Sequence, residues 1–268
     1  MSARCLVSFH AHPDDEAIFT GGIILRAVRA GWRVVVVIAT SGEEGAASGW
    51  VTGDLGSHRR KEAIQAASVL GVDQVEFLGY RDSGAASAAK RDGRGGASAA
   101  LFGPLDQTSV LEVAERLHRI LVDERADVLT SYDEVGIYGH RDHLRVHEIA
   151  RAALLGTVCE LVEATVPRSV LAATREELLG LGLDPAVWPP EQLERIGGGR
   201  DGEVLTLELG PDLPQKMRAI ASHASQVVEA PEFMGVPPGA FRRVLAKEHY
   251  VPVRTLDDRL GELLSACA

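Results

Sequence analysis

One imidazole and three carboxylates lie within five residues near the amino terminus, in His12-Pro13-Asp14-Asp15-Glu16. They follow a short apolar run, Cys5-Leu6-Val7-Ser8-Phe9, that reads as a strand. Such a strand end is a poor way to build a core, because buried carboxylates are costly unless they are paired or bind a metal. A second polar stretch, Asp133 to His143, ends in Tyr138-Gly139-His140-Arg141-Asp142-His143 and places two histidines three residues apart. A catalytic zinc takes three protein ligands and keeps one position open for water. One imidazole and one carboxylate from the first stretch, with one imidazole from the second, would complete that set. A remaining carboxylate would then serve as general base, and a remaining histidine would stabilise an oxyanion.

Two polar stretches 120 residues apart must be carried to one place by the fold. Residues 4–9 read as a first strand, and 22–30 carries Ile23, Ile24, Ala27 and Val28 at helical spacing, closed by Gly31. Residues 33–39 form a continuous, mostly β-branched run, the pattern of a strand buried on both faces of a parallel sheet. Helices at 59–70, 111–124 and 143–155 alternate with strands at 74–78, 127–132 and 160–166. This alternation predicts an α/β fold: a Rossmann-like doubly wound, mostly parallel sheet with helices on both faces, plus a C-terminal extension. In such sheets ligands gather at the carboxyl ends of strands. The chain reads as a single domain, with an α/β core over 1–166 and a substrate-shaping region over 167–268. An edge strand is expected at 204–209, a helix at 214–228 and a closing strand within 249–253. Residues 81–103, with the basic tip Lys90, Arg91 and Arg94, read as a mobile loop over the site or a disordered excursion, and 175–202 as an insertion or lid edge.

The chain has 268 residues, 46% hydrophobic and 25% charged, which is ordinary for a globular protein. Its formal charge of −10 argues against nucleic acid as a partner, since that needs a basic face. No apolar stretch approaches the roughly 20 residues of a spanning helix. The first apolar run is too short for a signal-peptide core, so a cytoplasmic location is expected. Cys5, Cys159 and Cys267 are odd in number and far apart, which speaks against a disulfide framework and a thiolate zinc site. A nicotinamide enzyme would need G-x-G-x-x-G after the first strand, where this chain has carboxylates that repel pyrophosphate. Homo-oligomerisation is compatible with the sequence but not specified by it.

The sequence resembles the LmbE-like, or PIG-L, zinc-dependent de-N-acetylases. Ala11 to Glu16 matches the family's first motif, and Tyr138 to His143 its second, with Arg141 in place of a proline and Ile137 where a glycine is common. Softer likeness continues in Thr40 to Gly45, Arg59 to Glu62, Leu70 to Val72 and Tyr80 to Gly84. The resemblance implies His12, Asp15 and His143 as ligands of one Zn2+ per chain, with Fe2+ as another divalent ion the site would admit. It implies Asp14 as general base, His140 as electrostatic partner of the tetrahedral intermediate, Asp142 as the residue orienting His140, and Tyr138 as a mobile oxyanion donor. Arg59 and Asp82 match positions that grip substrate hydroxyls. The implied reaction removes an acyl group, most simply acetyl, from a small amino sugar or glycoside. An amidase of a mycothiol-type conjugate and a non-catalytic zinc-binding relative are the alternatives. Of the other candidates, His147 and His10 are expected to be structural, Glu16 to pair with a neighbour, and His223 to cap or pack a helix.

Overall fold

The computed structural model describes residues 4–45, 51–84, 100–180, 182, 197, 204–227, 242–257 and 259–265. The basic tip at Lys90, Arg91 and Arg94 and most of the 175–202 stretch beyond residue 180 lie outside them. β1 (Cys5–His10), β2 (Arg33–Thr40), β3 (Gln74–Tyr80), β4 (Val128–Tyr132) and β5 (Glu160–Thr165) run parallel, and their β-branched and leucine runs are buried against helices on both faces. β6 (Leu205–Glu208) and β7 (Lys247–Arg254) continue the same sheet, β7 antiparallel to β5 and to β6. The order is β3-β2-β1-β4-β5-β7-β6. The C-terminal extension is thus, in its strands, the far edge of the sheet and no separate layer.

Among the described residues the α-helices are α1 (Asp15–Phe19), α2 (Gly21–Arg29), α3 (Leu55–Leu70), α4 (Val110–Asp123), α5 (Gly136–Gly139), α6 (Arg141–Ala153), α7 (Arg168–Gly180), α8 (Leu213–Ser222), α9 (Ala224–Val227) and α10 (Arg259–Ser265). Their limits follow local chemistry. The Asp54 side chain accepts the Ser57 N–H at the start of α3, and Gly71 ends it at φ 84°, a left-handed conformation that costs glycine little. The expected 214–228 helix is broken at His223, which caps α8 with φ −84° and ψ 52°. Four of these helices escaped the periodicity reading: α1, α5 and α10 are short, and α7 lies in the stretch read as a substrate-shaping region.

β1 lies between β2 and β4, and the chain crosses from one half of the sheet to the other between β3 and β4. This topological switch point opens a crevice at the carboxyl ends of β1 and β4, the position where doubly wound sheets bind ligands. Both polar stretches leave the sheet there.

Candidate active site

His12 emerges two residues past β1, and the turn that follows is held by neighbours. Thr40, at the end of β2, donates both its N–H and its hydroxyl to the Ala11 carbonyl at 3.0 Å. The Asp15 carboxylate accepts the His12 N–H at 2.8 Å, and α1 then begins. On the other side of the crevice Asp133 accepts the N–H groups of Val135 and Ile137 and the Thr165 hydroxyl, which folds the loop ahead of α6. Gly136 sits at φ 60°, where a Cβ would come within 2.8 Å of the His143 Cβ, so glycine lets α6 approach. Ile137 takes φ 62° and ψ −56°, strained for a β-branched residue and natural for the glycine expected there.

The geometry brings His12, Asp15, His140 and His143 together. Asp15 Oδ2 lies 3.4 Å from His12 Nδ1 and 3.4 Å from His143 Nε2. The ring centroids of His12 are 4.6 Å from His140 and 5.3 Å from His143. Two groups of possible metal donors, His12/His140/His143 and His12/Asp82/Asp142, have ligand atoms within 4.8 Å of one another among the described residues. A tetrahedral ion with bonds of about 2.0–2.1 Å separates its ligand atoms by roughly 3.3–3.4 Å. Asp15 stands outside both groups, but its two spacings match that, and imidazole with carboxylate is a donor set that suits zinc and iron. The residues therefore fit the group the resemblance implies.

Burial acts on Asp14, Asp15, His12 and His140, each against different neighbours. It pushes the Asp15 carboxyl up, but His143 and His12 outweigh it and hold Asp15 well below the usual carboxylate range. Burial lowers His12, yet Asp82, Asp142 and Asp15 raise it well above the ordinary imidazole value. Holding a metal would require that ring to give up its proton. Asp14 is different: burial raises it to about 6, with Arg59 opposing and Asp15 adding to the rise. His140 falls to about 4, through burial and then the charges of His12 and His143. Its Nδ1 accepts the Asp142 N–H at 3.2 Å, so the neutral ring carries its proton on Nε2.

Three expected roles meet different surroundings. The Asp142 carboxylate faces His12 Nε2 at 3.3 Å, and its link to His140 is the backbone N–H. Ser83 secures that carboxylate with its N–H, at 2.9 Å, and with its hydroxyl. Arg59 is buried and donates to the carbonyls of Gly42 and Pro13 and to Asp14 Oδ2, so it braces the first motif from within. Gly42, at φ 65°, leaves the room for that guanidinium, which any Cβ there would strike. Asp82 is buried 3.6 Å from His12 Nε2 and belongs to the metal-type cluster. The Tyr138 hydroxyl lies 3.3 Å from His143 Nε2, and burial raises its phenol well above the usual range, keeping it protonated. Arg141 clips the loop beneath it, donating to the Ser83 and Gly84 carbonyls and to Asp106 at 2.8 Å.

Sequence reasoning missed Tyr132, which donates to Asp15 Oδ2 at 2.8 Å and stacks on His143 with centroids 4.2 Å apart. It sits at the last position of β4, beside β1, and that placement was the available signal. His10 is buried and reaches the Tyr132 hydroxyl at 3.2 Å, which makes it part of the support for Asp15. His147 faces Glu163 at 3.0 Å, away from the metal-type donors, as a structural residue would. Glu16 does pair with a neighbour, His223, at 2.7 Å.

Residues 7–154 match the family model described as PIG-L: GlcNAc-PI de-N-acetylase. Similar curated proteins are named 1D-myo-inositol 2-acetamido-2-deoxy-alpha-D-glucopyranoside deacetylase. The one from Actinosynnema mirum is 34% identical, covering 92% of this chain and 90% of its own. The one from Rhodococcus opacus is 34% identical, covering 97% and 95%. Among solved structures, the N,N'-diacetylchitobiose deacetylase of Pyrococcus horikoshii matches with TM-score 0.58 and 20% identity over 94% of this chain and 85% of its own. GalB, a 4-carboxy-2-hydroxymuconate hydratase of Pseudomonas putida KT2440, matches with TM-score 0.58 and 17% identity over 95% and 98%. A deacetylase and a hydratase share the fold, so fold likeness alone does not choose the reaction.

Proposed function

Because the chain belongs to the PIG-L family of de-N-acetylases, we propose that it hydrolyses the N-acetyl amide of a glucosaminyl glycoside, with a glucosaminyl-inositol as the leading substrate. The enzyme is a metal-dependent amide hydrolase acting on an amino sugar, releasing acetate and a free amine. The observation that carries this reading is the meeting, at one strand-end crevice, of metal-type donors with a carboxyl group held near neutrality at Asp14.

His12, Asp15 and His143 would hold the ion, and zinc suits that set; His140 is less suited because its Nδ1 is already engaged. When bound, such an ion lowers the pKa of water from about 15.7 to about 7 and polarises the amide carbonyl. Asp14, with a pKa of about 6, takes the proton of the attacking water, since a base near the working pH is both ionised and strong enough. The His140 Nε2–H and the Tyr138 hydroxyl donate to the oxyanion of the tetrahedral intermediate. Asp14 then returns its proton to the departing nitrogen. Asp142, through His12 Nε2, keeps the opposite nitrogen of that ring free to act as a ligand.

Asp142→Asn is therefore expected to weaken zinc binding about 10–100-fold in competition with a chromophoric chelator. An unchanged affinity would return Asp142 to the service of His140 alone. Cytoplasmic residence agrees with Cys5 and Cys159 as buried free thiols. Among the described residues no helix is long and apolar enough to cross a membrane. Assay of N-acetylglucosaminyl glycosides beside thiol conjugates of the mycothiol type tests the substrate class. Amine release from the glycoside supports the reading, and release from the conjugate alone would replace it with the amidase.

A further inference from the structure

Asp14 has φ 112° and ψ −30°, a conformation that L residues rarely adopt. Strain of this kind persists only where the surroundings over-determine it. Here both sides of one peptide are held. The Pro13 carbonyl accepts from Arg59 Nη2 at 2.5 Å, and the N–H of the same peptide unit, on Asp14, donates to Glu16 Oε2 at 2.9 Å. The second hold depends on a residue 207 positions further along the chain: His223 Nε2 meets the other oxygen of Glu16, Oε1, at 2.7 Å. Both side chains are fully buried.

We propose that His223 is a positioning residue for the reaction: acting through Glu16, it fixes the Asp14 peptide opposite Arg59 and so aims the carboxylate of the base. The inference rests on the reading of Asp14 as that base. The break between α8 and α9 is what presents the ring. His223 ends α8 with its N–H on the Ile220 carbonyl, and its own carbonyl accepts the Gln226 N–H at 2.9 Å. Ser225, two residues on, gives its N–H and hydroxyl to the Glu62 carboxylate of α3, at 2.8 and 2.6 Å. α3 also carries Arg59, so the segment supplying one jaw of the clamp is tied to the helix supplying the other. Burial depresses the His223 imidazole, but Glu16 outweighs it and raises the ring. An ionised buried Glu16 without its partner would be costly, and pairing alone would explain two buried groups. It would not explain why the remaining Glu16 oxygen is aimed at the Asp14 N–H.

The test is His223→Phe beside His223→Gln, assayed on an N-acetylglucosaminyl glycoside with zinc content measured for each. Displacing a reacting group by about 1 Å can cost roughly 10²-fold in rate. We expect His223→Phe to keep zinc and KM and to lose about 10²-fold in kcat, and His223→Gln, which can still donate to Glu16, to recover most of it. If His223→Phe does not fold, the same change in a Glu16→Gln background removes the unpaired charge, and its kcat against Glu16→Gln alone carries the test. A kcat close to the reference, or kcat and KM worsening together without rescue by glutamine, overturns the proposal. Inactivity of the zinc-loaded native enzyme on every N-acetyl glycoside would instead sink the functional reading.

Discussion

Asp14→Asn leaves the metal site loaded and lowers kcat by about 10²–10⁴-fold, the usual contribution of a positioned general base. The amide has the size of the carboxyl and can still accept from Arg59, so the turn keeps its shape. It cannot take a proton from water. The pH dependence has a defined sign. Asp14 works ionised, and burial puts its pKa at about 6, so kcat/KM of the native enzyme falls as pH drops through that region. The residual activity of the variant loses that acidic limb. Near-native turnover in purified, metal-loaded Asp14→Asn would remove Asp14 from the mechanism.

His143→Ala has the second large effect, on metal retention and on stability together. The ring is fully buried, stacks on Tyr132 and lies 3.4 Å from Asp15. Its loss removes one of three expected ligands and leaves a void beside the β4 end. Truncating a buried side chain of this size costs about 2–5 kcal/mol. The variant is expected to purify without metal and to unfold at lower denaturant concentration. Stoichiometric metal in folded His143→Ala would refute the ligand set His12, Asp15 and His143.

Much of this was legible in the sequence because the signals were local. The parallel strands show as β-branched runs between amphipathic helices, and both polar stretches fall where a doubly wound sheet collects ligands. The sheet's far edge was legible as strands but not as strands of the same sheet, because the pairing of β7 with β5 is antiparallel and long-range. The neighbours of each charged group were least legible. Nothing in the spacing of Arg59 says that its guanidinium turns inward onto Pro13 and Gly42, or that the Asp142 carboxylate faces His12 across 130 residues. Periodicity likewise carries a helix through 214–228, whereas the helix breaks at His223, whose ring meets Glu16 in a tertiary contact. Ile137 shows the reverse: a residue unlike the expected glycine still takes the glycine conformation, held by Asp133.

Amide hydrolysis on an amino sugar is proposed to rest on one metal ion seated between His12, Asp15 and His143. Its most direct measurement is amine release from an N-acetylglucosaminyl-inositol by enzyme stripped with chelator and then titrated with zinc or ferrous iron. Stripped enzyme is expected to release no amine, and activity to rise to a plateau at one ion per chain. Full turnover by metal-free enzyme, or none at any metal loading, would contradict the proposal.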